Sequence, residues 1–396
     1  MKRTIVILLA LALVLLALGC QGSSQQSTSG QGGNANTADK VPYKIGAVIS
    51  VTGASAPLGE PEKKALQMEV DKINKDGGVD GHKIEVFIED DQSDAKNANI
   101  AASKLIDEKG VIAIIGGTST SSTMAMKAKA AQAQVPDVAM AAGIQITDDP
   151  GKQWMFRTAQ SDALAVQKVI DYMSNTLKIK KFAILNDANG FGESGKNELK
   201  KLAPKAGLEV VTSESYKTDD TNMTSQLTKI KGTDAQAVVV WGTNPGPAIA
   251  AKNMKELGMK IPYIGSHGIS NKSFITLAGS AADGVVFPAG KILVPSSATG
   301  EQATVIKTFM DDFKAKYGES ANHFAGHAYD AIHIITDALK ASGGDKSKLR
   351  DEIEKTKDFV GIGGIFSYSL TDHDGTQQSD LIMIKIQNGQ WVEASK

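Results

Sequence analysis

Short apolar runs rich in Val and Ile alternate along this chain with longer segments in which apolar residues return every three or four positions. Runs of the first kind suit strands buried on both faces of a parallel sheet, and segments of the second kind suit the helices that cover it. In a first series, YKIGAVIS from Tyr43, KIEVFIEDD from Lys83, VIAIIGG from Val111 and VPDVAM from Val135 read as strands. One helix between them ends at Gly77-Gly78, with Ala65, Leu66, Val70 and Ile73 on its apolar face, and a second runs from about Ala95 to Lys109. The order then repeats. FAILND from Phe182, LEVVTSESY from Leu208, AQAVVVWG from Ala235 and PYIGS from Pro262 read as strands, with helices from about Glu193, Asn222 and Ala248. This pattern predicts an α/β protein of two doubly wound lobes with parallel central sheets. A ligand site is expected where the lobes face each other, beyond the carboxyl ends of their strands.

The chain begins differently. Lys2 and Arg3 precede an unbroken apolar run from Ile5 to Leu18, then Gly19 and Cys20, which reads as a secretory signal over residues 1–19. The run is shorter than the roughly 20 residues a membrane-spanning helix needs. Residues 21–40 are polar and small, with nothing large to bury, and read as a flexible tether. Cys20 is the one cysteine of 396 residues, so no internal disulfide is available to the fold. The stretch Ala17-Leu18-Gly19-Cys20 resembles a bacterial lipobox, with Ala17 where Leu is usual and Leu18 where a small residue is usual. That resemblance implies lipid on Cys20, which would tether the protein to the outer or periplasmic face of a membrane.

Charge narrows the partners. The 43 basic and 44 acidic residues nearly balance, and no basic block or basic-aromatic stripe is available to neutralise a run of phosphates, so nucleic acid is not an expected partner.

Several patterns are candidates for chemistry. IGGTSTSST, Ile115 to Thr123, follows an apolar strand and precedes a helical segment, so its hydroxyls and the helix N-terminus suit a carboxylate. It lacks the lysine of a phosphate loop. Gly190-Phe191-Gly192-Glu193-Ser194-Gly195 satisfies GxGxxG, but four residues separate it from the strand body, whereas a dinucleotide turn is tight. We read it as a cleft-rim loop presenting Phe191, with no cofactor. His323 and His327 stand four apart on an Ala- and Ile-rich helix that lacks the acid of HExxH, and read as structural, with no metal. Asp90 and Asp91 end a strand and read as caps of the next loop. No GxSxG and no cysteine nucleophile occurs in the body, so an enzyme is not expected.

Together, INKDGGVDGHKIEVFIEDDQSD from Ile73, VIAIIGGTSTSST, VPDVAMAAG, MFRTAQSD from Met155, NDANGFGESG, AGSAADGVVF from Ala278 and AYDA from Ala328 resemble one family. It is the extracellular solute-binding proteins of ABC importers, of the branched-chain amino-acid type. The resemblance runs from about Tyr43 to the C-terminus and implies a type I periplasmic binding fold, two Rossmann-like lobes joined by a multi-strand hinge. It implies an N-terminal lobe of residues 41–161 plus about 290–367 and a C-terminal lobe of residues 162–289 plus about 368–396. It also implies a monomer whose partners are the permease subunits of an importer. A sensor that passes its closed state to a signalling receptor would share the fold.

The family's contacts fall on particular positions. Ser119, Thr120 and Ser121 match the turn that holds the ligand's carboxylate, and Ala141, Ala142 and Gly143 match the next loop, without its usual Thr hydroxyl. Asp162 matches the acid that meets an ammonium. A second acid is replaced by His267, the customary aromatics fall on Phe191 and Thr243, and another falls on Leu58. With one hydroxyl and one acid fewer, the implied ligand is a small carboxylate with an apolar side, either an aliphatic amino acid or a related organic acid. His267 would donate to a second carboxylate or carbonyl.

Overall fold

A computed structural model describes residues 40–148 and 150–394. Cys20, the signal and nearly all of the expected tether therefore lie outside the described residues. Lys40, expected to end the tether, already belongs to the first strand.

That strand, β1 (Lys40–Ile49), opens a five-stranded sheet with β2 (His82–Asp90), β3 (Ala113–Gly116), β4 (Asp137–Ala139) and β5 (Met155–Arg157). Its order is β2-β1-β3-β4-β5, and every pairing is parallel. Three helices connect these strands: α1 (Ala56–Lys75), α2 (Ala95–Ser103), continued by a π-turn to Lys109, and α3 (Thr120–Ala133). The α1 stripe of Ala65, Leu66 and Val70 is buried, as its spacing predicts. Two residues past its C-cap, Gly78 turns the chain at φ 78°, where a Cβ would stand 2.0 Å from the His82 carbonyl. Only glycine fits that stop.

A second sheet begins after α4 (Asp162–Asp171) with β6 (Lys181–Asp187), α5 (Gly190–Leu202), β7 (Glu209–Tyr216), α6 (Thr224–Lys231) and β8 (Val238–Trp241). It continues through α7 (Gly246–Glu256), β9 (Tyr263–Gly265), α8 (Lys272–Ala278) and β10 (Val286–Gly290). The chain then returns to the first lobe as α9 (Gly300–Tyr317), α10 (His323–Ser342) and α11 (Lys346–Glu354), with α10 packed along α1. After a small ribbon of β11 (Phe359–Val360) and β12 (Ile365–Phe366), it crosses back as β13 (Leu381–Gln387) and β14 (Gln390–Glu393).

The second sheet is therefore not wholly parallel. Its order is β14-β13-β10-β9-β8-β6-β7, and β13 runs antiparallel to both of its neighbours, β10 and β14. Asn388 at φ 52° and Gly389 at φ 71° make the tight turn that permits the β13-β14 hairpin. Strand order sets the site. In each sheet it reverses between the first and third strands, β1 and β3 in one and β6 and β8 in the other, and that reversal opens a crevice at the strands' carboxyl ends.

Three segments join the lobes, after β5, after β10 and after β12. The first and third are tied together: the Arg157 amide donates to the His373 carbonyl at 3.1 Å, and the Tyr368 hydroxyl donates to the Arg157 carbonyl at 2.7 Å. Both sheets are packed with buried apolar side chains, including Ile45, Ile115, Val138 and Phe156 at the first and Phe182, Ile184, Val239 and Trp241 at the second. Full burial of side chains of this size stabilises by about 1.5–3 kcal/mol each. Among the described residues no helix is long and apolar enough to cross a membrane.

Candidate functional site

Both crevices open onto one cavity of about 180 Å³. The first lobe contributes Leu58 from α1, the turn Thr118 to Ser121 after β3, and Ala141 and Ala142 after β4; the second contributes Phe191, Thr243 and His267. Of the sequence-derived ligand positions, all but Gly143 and Asp162 therefore meet here.

The hydroxyl turn has divided duties. Ser119 is the N-cap of α3, its Oγ accepting the Ser122 amide at 3.1 Å. Thr118 is fully engaged, accepting the Ser50 amide at 3.0 Å and donating to Glu62, whose carboxyl burial raises well above the usual range. Thr120 Oγ1 accepts the Gly143 amide and Ser121 Oγ accepts the Gly190 amide, each at 3.2 Å. A hydroxyl that accepts in this way keeps its own hydrogen to donate. The amides of Thr120 and Ser121, at the first two positions of α3, have no acceptor within the helix. The turn thus offers donors beside a positive helix end, the requirement for an anion.

Contact between Ser121 and Gly190 joins the lobes at the rim. A Cβ on Gly190 would stand 3.0 Å from Ser121 Oγ, so a bare backbone allows this approach. Nearby, the Ile144 amide of the first lobe donates to Ser194 Oγ of the second at 3.2 Å.

The GxGxxG segment is not a rim loop. It is the first turn and a half of α5, with Asn189 as N-cap accepting the amides of Phe191 and Gly192 at 3.1 and 2.9 Å. Its other glycines serve packing, since a Cβ on Gly192 would lie 1.8 Å from the Asp187 carbonyl and one on Gly195 would lie 2.1 Å from Trp241 Nε1. Phe191 does reach the cavity. Asp90 and Asp91 cap as read, Asp90 Oδ1 accepting the amides of Val51, Thr52 and Gln92 and Asp91 Oδ1 that of Ser93.

His267 stands against Phe191 and Trp241, ring edge to ring face, at centroid distances of 5.3 and 5.9 Å. It is 3% exposed, and burial, with His323 and Arg157 nearby, pushes its pKa down to about 3. The ring is neutral at physiological pH.

Asp162 lies elsewhere. It is the first residue of α4, fully buried, with its amide donating to the Ala142 carbonyl at 2.9 Å and Oδ1 accepting Trp241 Nε1 at 3.1 Å. Burial raises its pKa to about 7, against the pull of the Ser194 hydroxyl, the Trp241 hydrogen bond and the Arg157 charge. It does not line the cavity.

Sequence reasoning passed over Phe324 and His327 of α10, which do line it. Their signal was the histidine pair on an apolar helix, a pattern that does not reveal which neighbour the flank meets. His323 lies behind, its ring centroid 4.5 Å from that of His327.

Comparison with known proteins gives a consistent result. The model of the periplasmic binding protein family matches residues 42–390. A leucine-, isoleucine-, valine-, threonine- and alanine-binding protein of Pseudomonas aeruginosa is 27% identical over 78% of this chain and 81% of its own length. A Leu/Ile/Val-binding protein homolog of Brucella melitensis is 25% identical over 83% of this chain and 87% of its own. Among solved structures, an extracellular ligand-binding receptor from Rhodopseudomonas palustris superposes with TM-score 0.84 at 26% identity, covering 90% of this chain and all of that one. The substrate-binding protein of a branched-chain amino acid transporter from Streptococcus pneumoniae, in complex with isoleucine, superposes with TM-score 0.79 at 28% identity over 89% of this chain and all of that one.

Proposed function

Because this chain belongs to the periplasmic binding protein family, we propose that it is the substrate-binding protein of an ABC importer. It captures a small carboxylate-bearing solute, an aliphatic amino acid or a related organic acid, in the cavity between its lobes and delivers it unchanged to the permease. The observation that carries this reading is the turn Ser119 to Ser121, where two free amides and two donor hydroxyls meet an apolar wall of Leu58 and Phe191. The relatives named for branched-chain amino acids, and the neighbour holding isoleucine, support the same solute class.

Closure about the three joining segments removes water from the solute, which strengthens its polar contacts, and brings Ser121 against Gly190. The closed form alone presents both lobes together to a permease. The protein works outside the cytoplasm as a monomer, held to a membrane face by lipid on Cys20.

Calorimetric titration with aliphatic amino acids, organic acids and their methyl esters tests the reading. Free acids are expected to bind and their esters to lose at least tenfold. Equal binding of esters, or binding of sugars or polyamines alone, would overturn it. For the anchor, a Cys20→Ser variant should appear in the medium or the soluble extracytoplasmic fraction.

A further inference from the structure

Among the described residues lining the cavity there is no Asp, Glu, Lys or Arg. Among the buried carboxylates behind the wall, Asp162, Asp187 and Glu62 each accept on one oxygen and leave the other without a partner. Asp162 takes the Trp241 indole at 3.1 Å, Asp187 takes the Thr218 hydroxyl at 2.7 Å and the Asn189 amide at 3.2 Å, and Glu62 takes Thr118. Burial raises all three above the ordinary carboxylate range, which favours their neutral forms. The first turns of α1, α3, α5 and α10 contribute Leu58, Thr120, Phe191 and Phe324 to the wall, so four positive helix ends surround the cavity. No counter-charge for an ammonium group stands among the described residues of the wall itself.

The histidines supply a different chemistry. His267, 3% exposed, has neither ring nitrogen hydrogen-bonded, and His327, 1% exposed, has Nδ1 unpartnered; both line the cavity. His323 Nδ1 accepts the Gly290 amide at 3.3 Å, so that ring carries its hydrogen on Nε2, which also lacks a partner. A neutral imidazole presents one N–H, and buried donors without acceptors are rare in proteins. His267 and His327, each with one N–H when neutral, can thus each give a hydrogen bond to an oxygen of the solute.

Resting on the capture of a carboxylate proposed above, we infer that the preferred solute carries no ammonium. It is a carboxylate whose second polar group is an oxygen, such as a 2-oxo acid, held by the N–H groups of His267 and His327 while the turn Ser119 to Ser121 holds the carboxylate. A site built to hydrogen-bond an oxygen discriminates strongly against analogues that lack it.

Matched sets of solutes test this: alanine, valine, leucine and phenylalanine, each beside its 2-oxo acid and the plain acid of the same skeleton, titrated into the purified protein by calorimetry. The 2-oxo acid of the best skeleton should bind at least tenfold tighter than the amino acid and than the plain acid. His267→Phe, which keeps a ring between Phe191 and Trp241 and leaves His327 in place, should narrow the margin of the 2-oxo acid over the plain acid at least threefold. An amino acid that binds as tightly as its 2-oxo counterpart would overturn this inference and leave carboxylate capture standing. A plain acid that binds as tightly as the 2-oxo acid would remove the role of the histidines. Failure of every member to bind would overturn carboxylate capture itself. Should His267→Phe not fold, the wild-type titrations alone are sufficient to uphold or overturn the preference.

Discussion

The indole N–H of Trp241 donates to Oδ1 of Asp162 at 3.1 Å, joining two fully buried residues 79 positions apart. The carboxyl that the family resemblance assigns to ligand recognition serves here to satisfy a core tryptophan.

Asp162 therefore governs stability through pH. Its pKa rises on folding from 3.8 to about 7, so the folded state holds the proton more tightly than the unfolded one. The associated stability is complete below pH 4 and is lost as pH rises to about 7, a difference of about 4 kcal/mol. Asp162→Asn, which still accepts from Trp241, should unfold at a higher temperature than wild type at pH 7.5 and match it near pH 4. Its solute affinity should change less than about threefold, under 1 kcal/mol. Thermal scans across that range and one calorimetric titration check both.

Gly195 faces the same tryptophan from α5. Alanine in an exposed helix gains up to about 1 kcal/mol over glycine. Here the added methyl would lie 2.1 Å from Trp241 Nε1, inside a packed core, so overpacking wins. Gly195→Ala should lose about 1–3 kcal/mol in urea unfolding.

Gly190 reports on closure. A side chain there meets Ser121 across the cleft and little within its own lobe. Gly190→Val should weaken solute binding by about tenfold or more, equivalent to about 1.4 kcal/mol, with nearly unchanged unfolding. Small-angle scattering with saturating solute should show a more open particle than wild type.

Much of this was legible in the chain. Alternation of apolar runs and amphipathic segments marks both sheets, and the hydroxyl turn is readable because it follows β3 directly, where ligands bind in such sheets. Other features depend on residues far apart in sequence. No local pattern tells Asp162 that Trp241 will claim it, or turns the His327 flank of α10 toward the cavity rather than toward the core. The glycines of GxGxxG obey the spacing of a nucleotide turn but answer to contacts with Ser121, Asp187 and Trp241. The antiparallel end of the second sheet is not legible because LIMIKIQ resembles any half-buried strand, and its direction is set by its pairing with the distant β10.

A crystal structure with the tightest-binding acid of the panel tests the central claim most directly. A carboxylate oxygen is expected within about 3 Å of the Thr120 and Ser121 amides. A carboxylate seated against Leu58 and Phe191 instead, or a solute bound outside the cavity, would contradict it.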